Sequence, residues 1–189
     1  KAYTLGFAGD IMLDRGVKYS VDKSYGGDFS RLFANASFLS EPDIMFANLE
    51  GPVSDKGADR HNLYSFRMNP TTIGALRDAG IDVVSFANNH VGDWNRPAFE
   101  DTVTRLKEGG IISCGAGMNK EEAARPAIVQ QDNGYRIGYL CFSDVPPTGV
   151  IATATSSGII LASDPDLATI ISNAKKEVDT LIVSFHWGV

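Results

Sequence analysis

The stretch IDVVSFANNH, residues 81–90, ends an apolar run with two asparagines and a histidine, side chains that a core does not readily accept. Three other segments end in the same way. FAGDIMLDR supplies Asp10 and, five residues on, Arg15; FANLEG supplies Asn48 and Glu50; SFHWG supplies His186. With Asn88, Asn89 and His90 they make a set of carboxylate, carboxamide and imidazole groups. Hard oxygen donors mixed with imidazole suit Mn²⁺, Fe or Zn²⁺ better than a thiolate site would, and a carboxylate has two oxygens with which to bridge a pair of ions. Two such ions clamp the attacking and leaving oxygens of a phosphoryl group and acidify a water.

Each residue also has a plainer reading. Asp10 suits a helix N-cap or a turn, and Asn48 and Glu50 can satisfy backbone groups in the turn of NLEGP. Asn89 can be structural, and His186 a satisfied buried imidazole. Arg15 is placed either to hold an anionic substrate group or to pair with Asp14 or Glu50 on a solvated face. Trp187 either lines a pocket or simply packs. Asp93 either orients the His90 imidazole from behind or caps the next helix, and His61, in a polar loop, reads as solvated.

For these groups to act together, the chain must bring its segment ends to one place. The segments YTLGFAGD, DIMFANLEG, IDVVSFANNH, YRIGYLCFSD and DTLIVSFHWG each read as a buried strand closing in a polar cluster. Between them DFSRLFANASFLS, NPTTIGALRDAG, RPAFEDTVTRLKEGG and PDLATIISNAKKEV space apolar residues as helices do, and Gly80 and Gly109 stand where helices stop. Strand followed by helix, repeated, predicts an α/β layered fold with parallel strands and right-handed crossovers. Ligands in such folds sit beyond the carboxyl ends of the strands, where the clusters fall. SDKGADRHN and VPPTGVIATATSSG are read as loops, the second as a lid or a mobile connection.

Bulk properties are compatible with this. The chain has 189 residues, 43% hydrophobic and 21% charged, enough for one domain core. A formal net charge of −6 argues against nucleic acid as a partner. Its two cysteines, Cys114 and Cys141, form no spaced framework and are expected to be buried free thiols. No stretch approaches the ~20 apolar residues of a membrane span, and no basic segment followed by an apolar one opens the chain, so any signal or anchor is expected to have been removed or never present.

Taken in order, GDIMLDR, NLEGP, ANNH, the GAG of residues 115–117 followed by EEAARP, and SFHWG resemble the capsule-synthesis CapA type, a poly-γ-glutamate biosynthesis family of the calcineurin-like metallophosphoesterase superfamily. The resemblance runs along the whole chain as a single metallophosphoesterase-like domain, residues 1–189. It implies a β-sandwich-like core flanked by helices, with two divalent ions, Mn, Fe or Zn, at the sheet edge. It implies ligand roles for Asp10, Glu50 in the bridging position, Asn89 and His186, and a general-acid role for His90. Arg15, Asn48 and Trp187 are then candidates for substrate contact, and Asp93 for support of His90.

Two departures from the family pattern stand out. Met12 occupies the place of a ligand histidine, and the imidazole-bearing segment expected after HWG is missing, so the domain reads as truncated at its C-terminus. A last strand without a neighbour would then favour self-association through its edge. The resemblance implies a metal-dependent phosphoesterase acting on a small molecule or polymer. The alternative is a non-catalytic metal-binding component of a cell-envelope polymer synthesis or export machinery. It also implies an extracytoplasmic place beside membrane capsule-synthesis proteins.

Overall fold

The computed structural model describes residues 2–188. In chain order its elements are β1 (Leu5–Ile11), α1 (Arg15–Tyr25), β2 (Ile44–Leu49), α2 (Thr72–Asp78), β3 (Val83–Ser85), α3 (Asn95–Gly109), β4 (Ile112–Cys114), β5 (Ala116–Gly117), α4 (Lys120–Ala123), β6 (Ala127–Gln130), β7 (Arg136–Ser143), β8 (Gly158–Ile159), α5 (Leu167–Glu177) and β9 (Thr180–His186). All five strands expected from the apolar runs are present. Among the described residues no helix is long and apolar enough to cross a membrane.

The strands form two main layers. The first is wholly parallel, in the order β1-β2-β3-β4; the second runs β6-β7-β9, with β6 antiparallel and β9 parallel to β7, and β5 and β8 make a small ladder of their own. β2 and β3 lie inside their sheet and are apolar almost throughout, because both of their faces are covered. β1 is an edge strand and more open, with Phe7 57% exposed. One continuous core joins the layers: Phe46 of the first stacks on Tyr139 of the second, with centroids 5.4 Å apart.

Cys114, closing β4, and Cys141, inside β7, form a disulfide between the layers, with Cα atoms 5.4 Å apart. Both residues are buried and neither thiol is free, which corrects the expectation drawn from their spacing. They are 27 residues apart in sequence, and only the stacking of the two sheets makes them neighbours. Gly115, at φ +82°, follows the bond; an added Cβ there would collide with the Cys141 carbonyl and the Ala87 side chain. At the other end of the strands the layers part over a cleft of about 420 Å³ lined by Tyr3, Leu5, Tyr135, Ile137 and Thr180.

Three of the four expected helices are present as α2, α3 and α5, and α1 and α4 form where no helix was expected. DFSRLFANASFLS does not form an α-helix; it makes two 3₁₀ turns, Phe29–Phe33 and Ser37–Ser40. The Asp28 carboxylate accepts from the Ser30 N–H, a local bond that offers the backbone an alternative to helix. The crossover is made instead by α1, which buries Val21 alone; its apolar residues Val17, Val21 and Tyr25 recur at helical spacing in a segment for which no helix was expected. α2 and α3 stand where expected. Gly80 follows α2 with φ +98°, whereas α3 ends at Gly110 (φ +78°), one residue beyond the glycine expected.

Candidate metal centre

Strand register sets the positions of the polar groups. Asp10 of β1 lies opposite Asn48 of β2, and Asn48 opposite Ser85 of β3, so the strand ends are level. β1 reaches that register through a bulge: Phe7 pairs with Phe46 and Asp10 with Asn48, three steps on one strand against two on the other. A one-residue slip moves side chains to the opposite face. The extra residue at Ala8–Gly9 therefore turns Asp10 onto the face that carries Asn48. From the second layer His186 comes level through its pairing with Ser143.

The side chains converge. Ligand atoms of Asp10, Glu50 and His186 lie within 4.8 Å of one another. The Asn48 amide nitrogen donates to Asp10 Oδ1 (2.8 Å) and to Glu50 Oε2, and lies 3.5 Å from His186 Nδ1. His186 Nε2 is 2.8 Å from Asn89 Oδ1. Glu50 Oε1 is 3.8 Å from both His186 Nε2 and His90 Nε2. The other nitrogen of His90, Nδ1, is 2.8 Å from Asp93 Oδ2, and the Phe66 ring lies against the imidazole at 4.2 Å between centroids.

Charge in this part-buried place is poorly compensated by protein alone. Burial raises the Glu50 carboxyl above the usual range; His186, the Asn48 hydrogen bond and His90 act against this, and Asp10 reinforces it. Burial works to lower His90, but the Asp93 hydrogen bond and charge, with Glu50 and Asp10 beyond, outweigh it and raise its pKa. Two carboxylates, an imidazole and a carboxamide oxygen fit a divalent ion such as Mn²⁺, Zn²⁺ or Fe²⁺, and such an ion relieves the crowding of negative charge.

The remaining sequence-derived residues are placed as follows. The Asp93 carboxylate accepts from Asn62 Nδ2 and the Phe66 N–H as well as facing His90, while the cap position of α3 belongs to Trp94. Arg15 opens α1 at φ +51°, and its guanidinium sits over the Tyr64 ring, 5.3 Å from the centroid. Among the described residues it pairs with neither Asp14 nor Glu50; Asp14 accepts from the Arg67 N–H instead. Trp187 is 81% exposed. His61 is exposed beside Asp59, and Met12 Sδ accepts the Asp14 N–H at 3.4 Å.

Two further residues belong to the site: Asn88, which stood in the polar cluster closing IDVVSFANNH but was assigned no role, and Phe66. Asn88 is fully buried and bonds Asn48, Leu49 and His90. Phe66 comes from residues 63–68, between the loop SDKGADRHN and the helix of NPTTIGALRDAG, a segment to which no element or role was assigned.

The family described as "Bacterial capsule synthesis protein PGA_cap" matches residues 4–189. The chain is 33% identical over 196 residues to "Capsule biosynthesis protein CapA" of Bacillus anthracis, covering 98% of this chain and 46% of that protein. It is 30% identical over 186 residues to "PGA biosynthesis protein CapA" of Bacillus subtilis, covering 96% and 48%. A "probable polyglutamine synthesis accessory protein" of Mycobacterium tuberculosis is 32% identical over 158 residues, covering 77% and 41%. The chain thus spans about half the length of the curated relatives it matches.

Proposed function

This chain belongs to the bacterial capsule synthesis family PGA_cap, and from that premise we propose that it is a metal-dependent phosphoesterase serving the synthesis of a capsule or polyglutamate polymer at the cell envelope. The observation that carries the reading is the convergence of Asp10, Glu50, Asn89 and His186 from both layers, with the His90–Asp93 pair facing Glu50.

Asp10, Glu50 and His186 would hold the ion, and Asn89 would add a neutral oxygen. A divalent ion held there supplies Lewis-acid polarisation of a phosphoryl oxygen and acidifies a water. The rest of the chemistry falls to the protein. Asp93 takes up His90 Nδ1, leaving Nε2 directed to the site, and Phe66 fixes the plane of the ring. The Asp93 bond and the neighbouring carboxylates raise the pKa of the imidazole, which favours the protonated form that can pass a proton to a leaving oxygen. Arg15, whose guanidinium pairs with no carboxylate among the described residues, takes an anionic group of the substrate, a small molecule or a polymer. The buried Cys114–Cys141 bond favours an extracytoplasmic site of folding.

The second reading is a metal-binding assembly component without turnover, associated with membrane capsule-synthesis proteins. Met12 in the place of a ligand favours it, as does the word "accessory" in the name of the mycobacterial relative. One experiment separates the two: Mn²⁺-loaded protein is assayed on an aryl phosphate and an aryl phosphodiester, beside Glu50→Gln. Turnover that Glu50→Gln abolishes supports the hydrolase. Metal binding with no turnover on either ester supports the assembly role.

A further inference from the structure

We propose that Asn48, locked in orientation by Asn88, is a positioning donor that holds Asp10 and Glu50 ready for a cation; it is neither a ligand nor a substrate contact. The inference rests on the metal-site reading above and deepens it.

The orientation of a carboxamide is normally ambiguous, because its O and N are nearly alike. Here the surroundings decide it. One side of the Asn88 amide faces the Leu49 carbonyl at 2.8 Å, which can only accept. The other faces the His90 backbone N–H at 3.1 Å, which can only donate. Asn88 must therefore present Nδ2 to Leu49 and Oδ1 to His90. The second Nδ2 hydrogen points to Asn48, 3.1 Å away, and is met by Asn48 Oδ1. With its oxygen so engaged, Asn48 has only N–H to offer the opposite side, where Asp10 Oδ1 and Glu50 Oε2 accept from it.

The consequence is a division of labour among the carboxylate oxygens. Asn48 takes one oxygen of each acid, so a donor N–H faces both carboxyl groups where they come together. Asp10 Oδ2 and Glu50 Oε1 accept no hydrogen bond among the described residues, and Glu50 Oε1 lies 3.8 Å from each imidazole, so these oxygens are the ones left to an ion. Partners behind metal ligands characteristically hold them this way, and losing such a partner costs about 10- to 100-fold in metal affinity. The relay also spans three strand ends: Asn88 follows β3, Asn48 lies in β2 and Asp10 in β1.

The test is Mn²⁺ affinity by calorimetry, with thermal unfolding recorded for every variant. Asn48→Ala is expected to weaken Mn²⁺ binding roughly 10- to 100-fold. Asn48→Asp, nearly isosteric, separates a donor from a ligand. A positioning donor replaced by a third acid should weaken binding, whereas a ligand so replaced should keep or tighten it. Asn88→Asp, which can no longer donate to Asn48, should weaken binding in the same direction as Asn48→Ala. Should Asn88→Asp fail to fold, the two half-buried Asn48 variants decide alone. Wild-type affinity retained within twofold by Asn48→Ala, or tighter binding by Asn48→Asp, overturns the proposal while Glu50→Gln, losing the ion, leaves the metal-site reading standing. A wild-type chain that takes up neither Mn²⁺ nor Zn²⁺ ends both.

Discussion

Asn89 and His90 are adjacent in sequence and meet different atoms: Asn89 touches the His186 imidazole, while His90 faces Glu50 with one nitrogen and Asp93 with the other. Their removal should therefore separate two properties. Asn89→Ala is expected to lower metal content, with activity falling as a result. His90→Asn should leave metal content nearly intact and slow turnover by about 10²- to 10⁴-fold, the usual contribution of one positioned acid. The loss should shrink on substrates whose leaving groups need no proton. Metal stoichiometry and kcat on one good and one poor leaving group check this; equal loss of metal in both variants would make His90 a ligand. At this scale the sequence revealed residue types at strand ends, because polar side chains closing apolar runs are conspicuous. It did not reveal whether Asp93 supports His90 or caps a helix, since both need an acid at that spacing and only the fold chooses. The roles of Asn88 and Phe66 depend on partners 39 or 40 residues and 24 residues away along the chain, respectively, beyond the reach of any local pattern.

Elements carry the site through two devices. The bulge in β1 aims Asp10, so deleting Gly9 should turn Asp10 to the other face and abolish Mn²⁺ binding while leaving the buried strands intact. Gly9→Ala should be harmless, because nothing lies within 4 Å of the added Cβ. Calorimetry and circular dichroism on the two variants test the pair. The second device pins the loop after β2 to α3. Asp101 accepts from Ser54 Oγ (2.6 Å) and Arg105 Nε (2.6 Å) and pairs with Lys56 Nζ at 2.8 Å. Burial works to raise its pKa, but the bonds from Lys56, Ser54 and Arg105 prevail and hold it at about 2. A folded pKa below the unfolded value of 3.8 means that the carboxylate stabilises the fold above pH ~4, an effect lost as pH falls towards ~2. Asp101→Asn should cost about 1–3 kcal/mol at pH 7 and progressively less between pH 4 and pH 2, as read by urea unfolding. The five strands and the helices α2, α3 and α5 were legible because their apolar spacing reflects burial. α1 was not, since its stripe of Val17, Val21 and Tyr25 is short and set among charged and polar residues, and the bulge was not, since register exists only between strands.

For the whole molecule, alternation of strand and helix was enough to predict a layered α/β fold, and it could not tell one sheet from two. The cysteines were misread for the same reason: pairing across layers leaves no trace in spacing. Closing a 27-residue loop, the Cys114–Cys141 bond should stabilise the fold by roughly 3–4 kcal/mol through the unfolded chain. Protein unfolded without reductant should expose no alkylatable thiol, and Cys114→Ala/Cys141→Ala should melt several degrees lower. Detection of two free thiols in protein purified from an oxidising compartment would contradict the bond. Its position also governs how the two layers breathe. Cys141 pairs with Ser184, two residues short of His186, so the rivet sits roughly 7 Å behind the rim that holds the site. A plate fastened near one lip opens at the other. Thermal parting of the layers is thereby directed to the far cleft between Leu5 and Ile137, and amide hydrogens there should exchange faster than those of Cys141–Ser143, the metal-bearing lip keeping its gap while the opposite end swings.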